Sequence, residues 1–430
     1  MARAKRRTTS LEDRYLTLGD RHQRDPLLSV LKESRQYDVK VRSIHKRELV
    51  DLEGHELADF ASCNYISMDQ DVKVLLKAGA AATKKFGIHS GRARLMGTHS
   101  LMVHVEQKIA RFLGGEDAVF FPTSTLASIG IIPALALEGD AIFLDKSAHA
   151  TMYQAAQMAR DKGAALLSYE QGDLTRLEDL LKANRKRRRK LICVDGVYSM
   201  TGDYANLPEL VPLAKKYDAL VYVDDGHGLA FVGQKPTKAM PYGFKGNGLV
   251  RHYGMSYDQL LYVAGVSKGF AAAAGFALVS PRMKEFLLAY AKPLDYTQPP
   301  TPFALGVLDA ALDLQLEVGD KRRAKVYALC ERLISGLRAQ GFHVMNRTHF
   351  PIVSVWAGNT EKLIEASRRL YRDGIFLTSC PYPTMPRGQE ALRVTVTSNN
   401  SKAQIDRLLA SFERIRKNWV KAGVPLHPEE

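Results

Sequence analysis

Short apolar runs separated by amphipathic stretches dominate the middle of the chain. Seven of these runs have the length of a strand: Ala118–Phe121, Ala141–Asp145, Ala165–Tyr169, Leu191–Gly196, Ala219–Asp225, Leu260–Gly265 and Phe276–Ser280. Several are continuously apolar, which is typical of a parallel sheet buried on both faces by helices. One intervening helix is clear, because Leu101, Val105, Ile109 and Leu113 recur every four residues before Gly114 and Gly115 end the run. The pattern predicts an α/β fold.

Changes in composition divide the chain into three parts. Residues 1–60 are polar and charged, with one predicted helix at about 24–35, and are expected to form an N-terminal arm. Four prolines between 293 and 302 mark a break, so residues 61–300 are predicted to form the large domain. Residues 301–430 are predicted to form a smaller α/β domain. Its expected elements are a long helix at 303–340, strands at 351–356, 374–379 and 391–396, and a closing helix with Ile405, Leu408, Leu409, Phe412 and Ile415 on one face.

Composition excludes several classes of protein. The 430 residues are 46% hydrophobic and 25% charged, which is ordinary for a globular protein with a large core. No apolar stretch is long enough to cross a bilayer, since the nearest candidate, around 260–280, carries Lys268 at its centre. The N-terminus lacks the apolar segment of a signal peptide. The four cysteines have no metal-ligand spacing, so we expect reduced thiols, no metal site and a cytoplasmic protein.

The net charge is +15, and two basic clusters stand out, residues 5–7 and residues 185–190. Such clusters are often only a solvated tail and a solvated loop. They could also attract an anionic partner, such as the phosphates of coenzyme A, an acidic acyl-carrier protein or a nucleic acid. Because no nucleic-acid-binding motif accompanies the charge, nucleic acid is the least favoured of these partners and is not expected to bind.

Two carboxylates, Asp224 and Asp225, end one of the apolar strands and are followed by Gly226 and His227. Ligand groups in open parallel sheets lie at the carboxyl ends of strands. A carboxylate there can face a cationic ring nitrogen and keep it protonated, which makes the ring an electron sink. The alternative is a helix N-cap followed by a histidine with an ordinary structural role.

Lys268 lies in a turn between two further apolar strands. A lysine in such an environment is costly unless it is neutralised or used covalently. Burial lowers the pKa of a lysine, and a neutral amine can form an imine with an aldehyde. The alternative is a surface lysine on a tight turn.

Two other strand ends carry polar residues. Thr123, Ser124 and Thr125 follow the strand at 118–121, where hydroxyl groups and free backbone N–H groups at a helix start can bind phosphate. A plain N-cap without a ligand would use the same residues. His149 follows the strand at 141–145, where an imidazole can stack on a flat ring, although a structural loop histidine is more common.

These residues follow one another along the chain in an order that resembles the α-oxoamine synthases. These enzymes are a branch of the fold-type I transferases that depend on pyridoxal 5'-phosphate (PLP). The resemblance extends from about Asp59 to Trp419 and includes Gly91–Thr98 and Asp195–Asp203, similar to the family's Ser-Arg…Gly-Thr and Asp-Gly-Val-Phe-Ser-Met-Asp-Gly-Asp segments. It implies a large domain with a mostly parallel seven-stranded sheet, a smaller C-terminal α/β domain, PLP as cofactor, and a homodimer with shared active sites.

The resemblance also implies roles for individual residues. Lys268 would hold PLP as a Schiff base, Asp224 would pair with the pyridine nitrogen, and His149 would stack on the ring. The other expected cofactor contacts are Ser124, Thr125, Ser199, His227 and Ser267, with Tyr296 and Thr297 reaching the phosphate of the neighbouring subunit. The expected substrate contacts are Asn64 and Arg393, whose guanidinium matches a carboxylate.

The chain departs from the family pattern at several positions. The threonine usual three residues before the lysine is Gly265, whose lost contact Ser267 could replace, and the usual glycine and aromatic residue of the phosphate loop are Ser124 and Thr125. Alanines at 271–274 replace a glycine-rich run, and residues 234–259 resemble an insertion relative to the shortest members.

The function implied is a decarboxylative Claisen-type condensation of a small amino acid with an acyl thioester, either acyl-CoA or acyl-carrier protein, to an α-amino ketone. Lys268 would act as the general base. A PLP-dependent aminotransferase or a retro-Claisen lyase would use the same residues. A basic binding protein that has lost catalysis, and a structural or nucleic-acid-binding protein, are the alternatives outside enzymology, and the joint presence of Lys268 and Asp224 speaks against the first of these.

Overall fold

The computed structural model describes residues 26–428. The basic cluster at residues 5–7 lies outside this range, as does the start of the helix predicted at 24–35, which is observed as α1 (Pro26–Glu33). Within the described range no helix combines the length and the apolar character needed to cross a bilayer. The four cysteines are unpaired thiols.

The N-terminal arm contains three strands that the sequence analysis missed: β1 (Val41–His45), β2 (Glu48–Asp51) and β3 (Glu56–Asp59). They form an antiparallel ladder, and β3 pairs in parallel with a two-residue strand, Ile375–Phe376, from the C-terminal part of the chain. The expectation of a single helix in this arm was therefore incomplete. The first of these strands could not be recognised in the sequence, because β1 is exposed along its whole length and shows no alternation of apolar and polar residues.

The seven apolar runs all form strands of one sheet, as predicted, with bounds that differ by one residue at most. In chain order the strands are β4 (Asp117–Phe121), β5 (Ala141–Asp145), β6 (Ala165–Tyr169), β7 (Lys190–Asp195), β8 (Ala219–Asp224), β9 (Leu260–Gly265) and β10 (Gly275–Val279). Their order across the sheet is β4-β10-β9-β8-β7-β5-β6, and only β10 runs antiparallel to its neighbours. The carboxyl ends of the other six strands therefore meet at one edge.

Helices cover both faces of this sheet. Those that precede or connect its strands are α2 (Val72–Phe86), α3 (Ser100–Leu113), α4 (Ser124–Leu135), α5 (Ala150–Arg160), α6 (Leu174–Ala183), α7 (Leu207–Lys216), α8 (Leu249–His252) and α9 (Ser267–Phe270). The predicted helix at 101–113 is confirmed as α3, and Gly114 ends it with a φ of 78°. Alternate residues of β4 enter two separate cores, Phe120 on one face and Phe121 on the other.

The C-terminal part begins after α10 (Pro281–Tyr290) and α11 (Pro293–Tyr296). Its elements are α12 (Pro302–Ala339), β11 (Ile352–Trp356), α13 (Thr360–Arg372), β12 (Ile375–Phe376), β13 (Thr378–Cys380), β14 (Ala391–Thr395) and α14 (Lys402–Lys421). The strand predicted at 374–379 is in fact two strands. β12 pairs with β3 of the arm while β13 pairs with β14, so one apolar run contributes to two sheets.

Candidate active site

Asp224 and Lys268 face the same point at the carboxyl edge of the large sheet. Asp224 is the last residue of β8, and Lys268 lies in α9, which follows the neighbouring strand β9. A Cβ placed on Gly226 would lie 3.1 Å from Asp224 Oδ1 and 3.5 Å from Lys268 Nζ. Gly226 therefore leaves open the space between a carboxylate and an amine, and the two residues share one cleft.

Two histidines complete this cleft and are held uncharged by it. Burial lowers the pKa of His149, an effect that the positive charge of Lys268 reinforces and the charge of Asp224 opposes. Burial likewise lowers the pKa of His227 well below its ordinary value, and the charges of Lys268 and Arg393 add to this. The Tyr65 hydroxyl lies 2.5 Å from His227 Nδ1 and orients its ring. A neutral imidazole can approach a cationic ring that an imidazolium would repel.

Asp195, at the end of β7, supports both neighbouring residues. Its Oδ1 accepts a hydrogen bond of 3.0 Å from the backbone N–H of His149, and it pairs in register with Asp224 on β8. Burial and the neighbouring charge of Asp224 raise the pKa of Asp195 well above its ordinary value. Asp195 thus supports the backbone of His149, while Asp224 is the carboxylate that faces Lys268 across the cleft.

Arg393 is a buried guanidinium on β14 that has no carboxylate partner among the described residues. Its Nε donates a 2.7 Å hydrogen bond to the backbone oxygen of Ser199, and its other nitrogens lie 3.7 and 3.9 Å from Cys63 Sγ. A buried cation is costly without a counter-ion. The fork of Arg393 is thus suited to receive a carboxylate from outside the chain.

The turn that carries Lys268 is supported by Asn64. The Asn64 amide lies 3.0 Å from the backbone oxygen of Ser267 and 3.1 Å from that of Lys268, and its nitrogen donates to both in the orientation that satisfies them. This places Asn64 against the lysine turn. A direct contact of Asn64 with substrate stays a prediction.

The predicted phosphate loop forms the start of α4. Thr123 caps this helix by accepting a hydrogen bond from the Leu126 N–H. The backbone N–H groups that a helix start leaves without an internal partner can bind an anion. A Cβ placed on Gly265 would lie 3.0 Å from Ser124 Oγ and 3.9 Å from Ser267 Oγ. Position 265 lacks the threonine side chain that is usual in the family. Ser124 lies closer to the space left there than Ser267 does. Thr125, the second residue of α4, is partly buried.

Comparison with known proteins agrees with this geometry. Residues 56–412 match the profile of the family described as aminotransferase class I and II. The 8-amino-7-oxononanoate synthase of Herminiimonas arsenicoxydans is 32% identical over 369 residues, which cover 85% of this chain and 91% of that protein. The corresponding enzyme of Maricaulis maris is 33% identical over 369 residues, covering 85% and 88%.

The chain belongs to the class I and II aminotransferase family, in its α-oxoamine synthase branch. A lysine-to-alanine variant of serine palmitoyltransferase from S. paucimobilis, solved with a PLP–myriocin aldimine, superposes on this α-oxoamine synthase with a TM-score of 0.85. It is 26% identical, and the match covers 95% of this chain and 99% of that one. The predicted fold-type I architecture is confirmed.

The cofactor of this α-oxoamine synthase is PLP, and the residues of the cleft fit it. An aldehyde needs an amine, a pyridine nitrogen needs a carboxylate, and a phosphate needs hydroxyl and N–H donors. Lys268, Asp224 and the Ser124 loop would supply these groups around a space that Gly226 and Gly265 keep open.

Two predicted cofactor contacts lie apart from this cleft. Tyr296 is 74% exposed on the protein surface, with the Lys292 ammonium 5.5 Å from its ring centre. The Thr297 hydroxyl donates to the backbone oxygen of Pro293. No described contact joins either residue to Lys268 of the same chain, so their role toward a second subunit stays a prediction.

Two residues beside the cleft, Tyr65 and Asp195, had no predicted role from the sequence. Asp195 ends an apolar strand in the same way as Asp224, and that position was an available signal. Tyr65 offered no such signal, because its partner His227 is 162 residues away in sequence.

Proposed function

We propose that this α-oxoamine synthase condenses a small amino acid with an acyl thioester to give an α-amino ketone, carbon dioxide and a free thiol. The single observation that supports this most directly is the convergence of Lys268 and Asp224 on one open point beside Gly226. The buried Arg393, which has no carboxylate partner among the described residues, adds a receptor for the amino acid's carboxylate. The names of the relatives favour this synthase over an aminotransferase or a lyase.

Lys268 and Asp224 divide the proton chemistry between them. The bound cofactor supplies an electron-withdrawing ring that accepts the charge left when a proton leaves the α-carbon. Asp224 keeps a proton on the ring nitrogen. The Lys268 amine would hold the cofactor before the amino acid binds, and would then act as the general base that removes the α-proton and later returns it. The neutral rings of His149 and His227 restrain the cofactor without adding positive charge to it.

Arg393 and the backbone around it position the amino acid. Its Nε is occupied by the Ser199 oxygen, so the remaining edge of the guanidinium is directed to the carboxylate. The deprotonated α-carbon forms a bond to the thioester carbonyl carbon, and the C–S bond breaks. The carboxylate then leaves as carbon dioxide, the proton held by Lys268 returns to the α-carbon, and the thiolate takes a proton from water.

The basic charge of the chain supports an anionic acyl donor, either acyl-CoA or an acyl-carrier protein. The cluster at 185–190 precedes and begins β7, whereas Lys268 follows the carboxyl end of β9, so this cluster lies at the opposite edge of the sheet. Its effect on a donor approaching the cleft is long-range attraction. We also infer a homodimer, in which the exposed Tyr296 of one protomer approaches the cleft of its partner.

The proposal is tested by measuring carbon dioxide and free thiol together. Purified holoenzyme is incubated with glycine, alanine or serine and with acyl-CoA or acyl-carrier protein of several chain lengths. We expect one amino acid to release both products in equal amounts, and only when the thioester is present. Lys268→Ala should lose this activity, while Lys235→Ala, at an exposed lysine, should keep it. Amino-group transfer to a 2-oxo acid without thioester would contradict the proposal.

A further inference from the structure

A second cavity lies at the edge of the large sheet opposite Lys268. It has a volume of about 440 Å³ and is bordered by the residues that begin or precede β5, β7, β8 and β9. These strands are five or six residues long, which at about 3.3 Å per residue separates the two edges by roughly 17–20 Å. This cavity, termed here the basal cavity, is therefore separate from the active-site cleft.

The walls of the basal cavity are mainly apolar. Leu220 comes from β8, Leu135 from the end of α4, and Met283 and Phe286 from α10. These four side chains remain partly accessible to solvent, whereas Leu191, which also lines the cavity, is buried. Small-molecule sites typically have this size and combine apolar walls with a few polar groups that orient the ligand. The walls are suited to an alkyl chain.

Lys190 gives the basal cavity a buried positive charge. The residue is only 6% exposed, and its Nζ donates to the backbone oxygen of Arg187 at 3.2 Å. Among residues 26–428 no carboxylate lies within 4 Å of this ammonium. A buried ammonium without a counter-ion is unfavourable, and an anionic ligand would relieve that cost.

The other charges around the cavity do not compensate Lys190. Asp140 is held by two arginines at once, with Arg188 Nε at 3.1 Å and an Arg189 nitrogen at 2.7 Å. Although burial favours its protonated form, hydrogen bonds from these arginines lower the pKa of Asp140, so it stays ionised and is fully occupied. Arg282 also lines the cavity and has no ion pair within the described part of the chain. Asp218 is an exposed carboxylate that also lines the cavity, without an ion pair among residues 26–428. Four basic side chains therefore face two acidic ones, and the rim carries a net positive charge.

We propose that the basal cavity binds a free medium-chain acyl carboxylate. Its carboxylate pairs with Lys190 and the adjacent arginines, and its alkyl chain lies along Leu220, Met283 and Phe286. Charge complementarity decides the head group, because Lys190 is the buried cation among the described residues that line the cavity and has no carboxylate within 4 Å. The apolar walls decide the remainder, because a small inorganic anion would leave them in contact with water.

The test uses calorimetric titration of decanoate into the PLP-loaded enzyme. We expect one saturable site per chain and no change in the visible absorbance of the cofactor, because the cavity is remote from Lys268. Lys190→Met keeps the apolar stem and removes the charge, and should weaken binding at least about tenfold. Lys186→Met, at an exposed lysine of the same basic cluster, is the matched control and should bind as the wild type does.

A second variant covers the case in which Lys190→Met fails to fold. Met283→Glu, at a partly exposed position of α10, should fold and should abolish binding because it places a carboxylate in the apolar wall. Equal affinity of Lys190→Met and Lys186→Met would overturn the proposal. So would the absence of saturable binding, inorganic phosphate that binds as tightly as decanoate, or decanoate that is displaced by the amino acid substrate.

Discussion

Relative to the usual family pattern, this chain has glycine in place of threonine at 265 and serine in place of glycine at 124. This pair of differences gives the most specific prediction about the cofactor site. Gly265 ends β9 with an ordinary strand conformation, so a threonine is acceptable to its backbone. The obstacle is Ser124, because a Cβ at 265 would lie 3.0 Å from its Oγ and 3.3 Å from its Cβ. Threonine adds two more atoms in the same space. Gly265→Thr alone should therefore overpack the phosphate loop.

Overpacking of this kind costs about 1–3 kcal/mol, so Gly265→Thr should weaken PLP binding by roughly 5- to 150-fold, since 1.4 kcal/mol is a factor of ten. Ser124→Gly alone removes a hydroxyl donor and should weaken it about 10-fold or more. The double variant relieves the contact and restores a hydroxyl group. Its affinity should be within a few-fold of the wild type, with a coupling of about 1–3 kcal/mol.

The assay is titration of cofactor-free enzyme with PLP, followed by visible absorbance and checked by equilibrium dialysis. Ala273→Thr, at an exposed position after the lysine turn, controls for a general effect of threonine in this region. If the losses of PLP affinity in the two single variants simply add in the double variant, Ser124 does not replace the missing threonine side chain at 265. The 3.0 Å distance between the two positions would then have no bearing on cofactor binding.

Three further predictions concern the cleft and Asp225, the buried residue that follows β8. Lys268→Ala should abolish the visible absorbance of the lysine-bound cofactor, and persistence of that absorbance would show the lysine assignment to be wrong. Arg393→Lys should raise KM for the amino acid about 10- to 100-fold with a smaller change in kcat. The reason is that an ammonium cannot keep the hydrogen bond to the Ser199 oxygen and also contact both oxygens of a carboxylate. Steady-state kinetics tests this, and an unchanged KM would contradict it. Burial raises the pKa of Asp225 to about 7, against hydrogen bonds from Leu249 N–H and the Tyr262 hydroxyl. Because this folded-state pKa lies above the unfolded value, the stability contributed by the proton is present below about pH 4 and is lost as pH rises to about 7; thermal melts should therefore show Asp225→Asn gaining on the wild type over that interval, and a constant difference would disprove the assignment.

The sequence alone was sufficient for the large sheet and for the central pair of the site. Strands buried on both faces must be apolar along their whole length, and that requirement is visible without any knowledge of their partners. Asp224 and Lys268 were singled out for the related reason that charged residues next to such strands are costly unless they have a use, and the structure brings the two together. Their roles toward the cofactor stay predictions.

Tertiary structure decided the features that depend on contacts between distant parts of the chain. β1 to β3 are stabilised by a ladder that ends on β12, more than 300 residues later, and their own residues carry little apolar signal. The closeness of Ser124 to Gly265 was equally invisible in sequence, as were the pairing of Arg393 with Ser199 and the isolation of Lys190. Local sequence reports the burial that a strand requires, whereas the neighbour of a given side chain is set by how strands and loops from separate segments pack together.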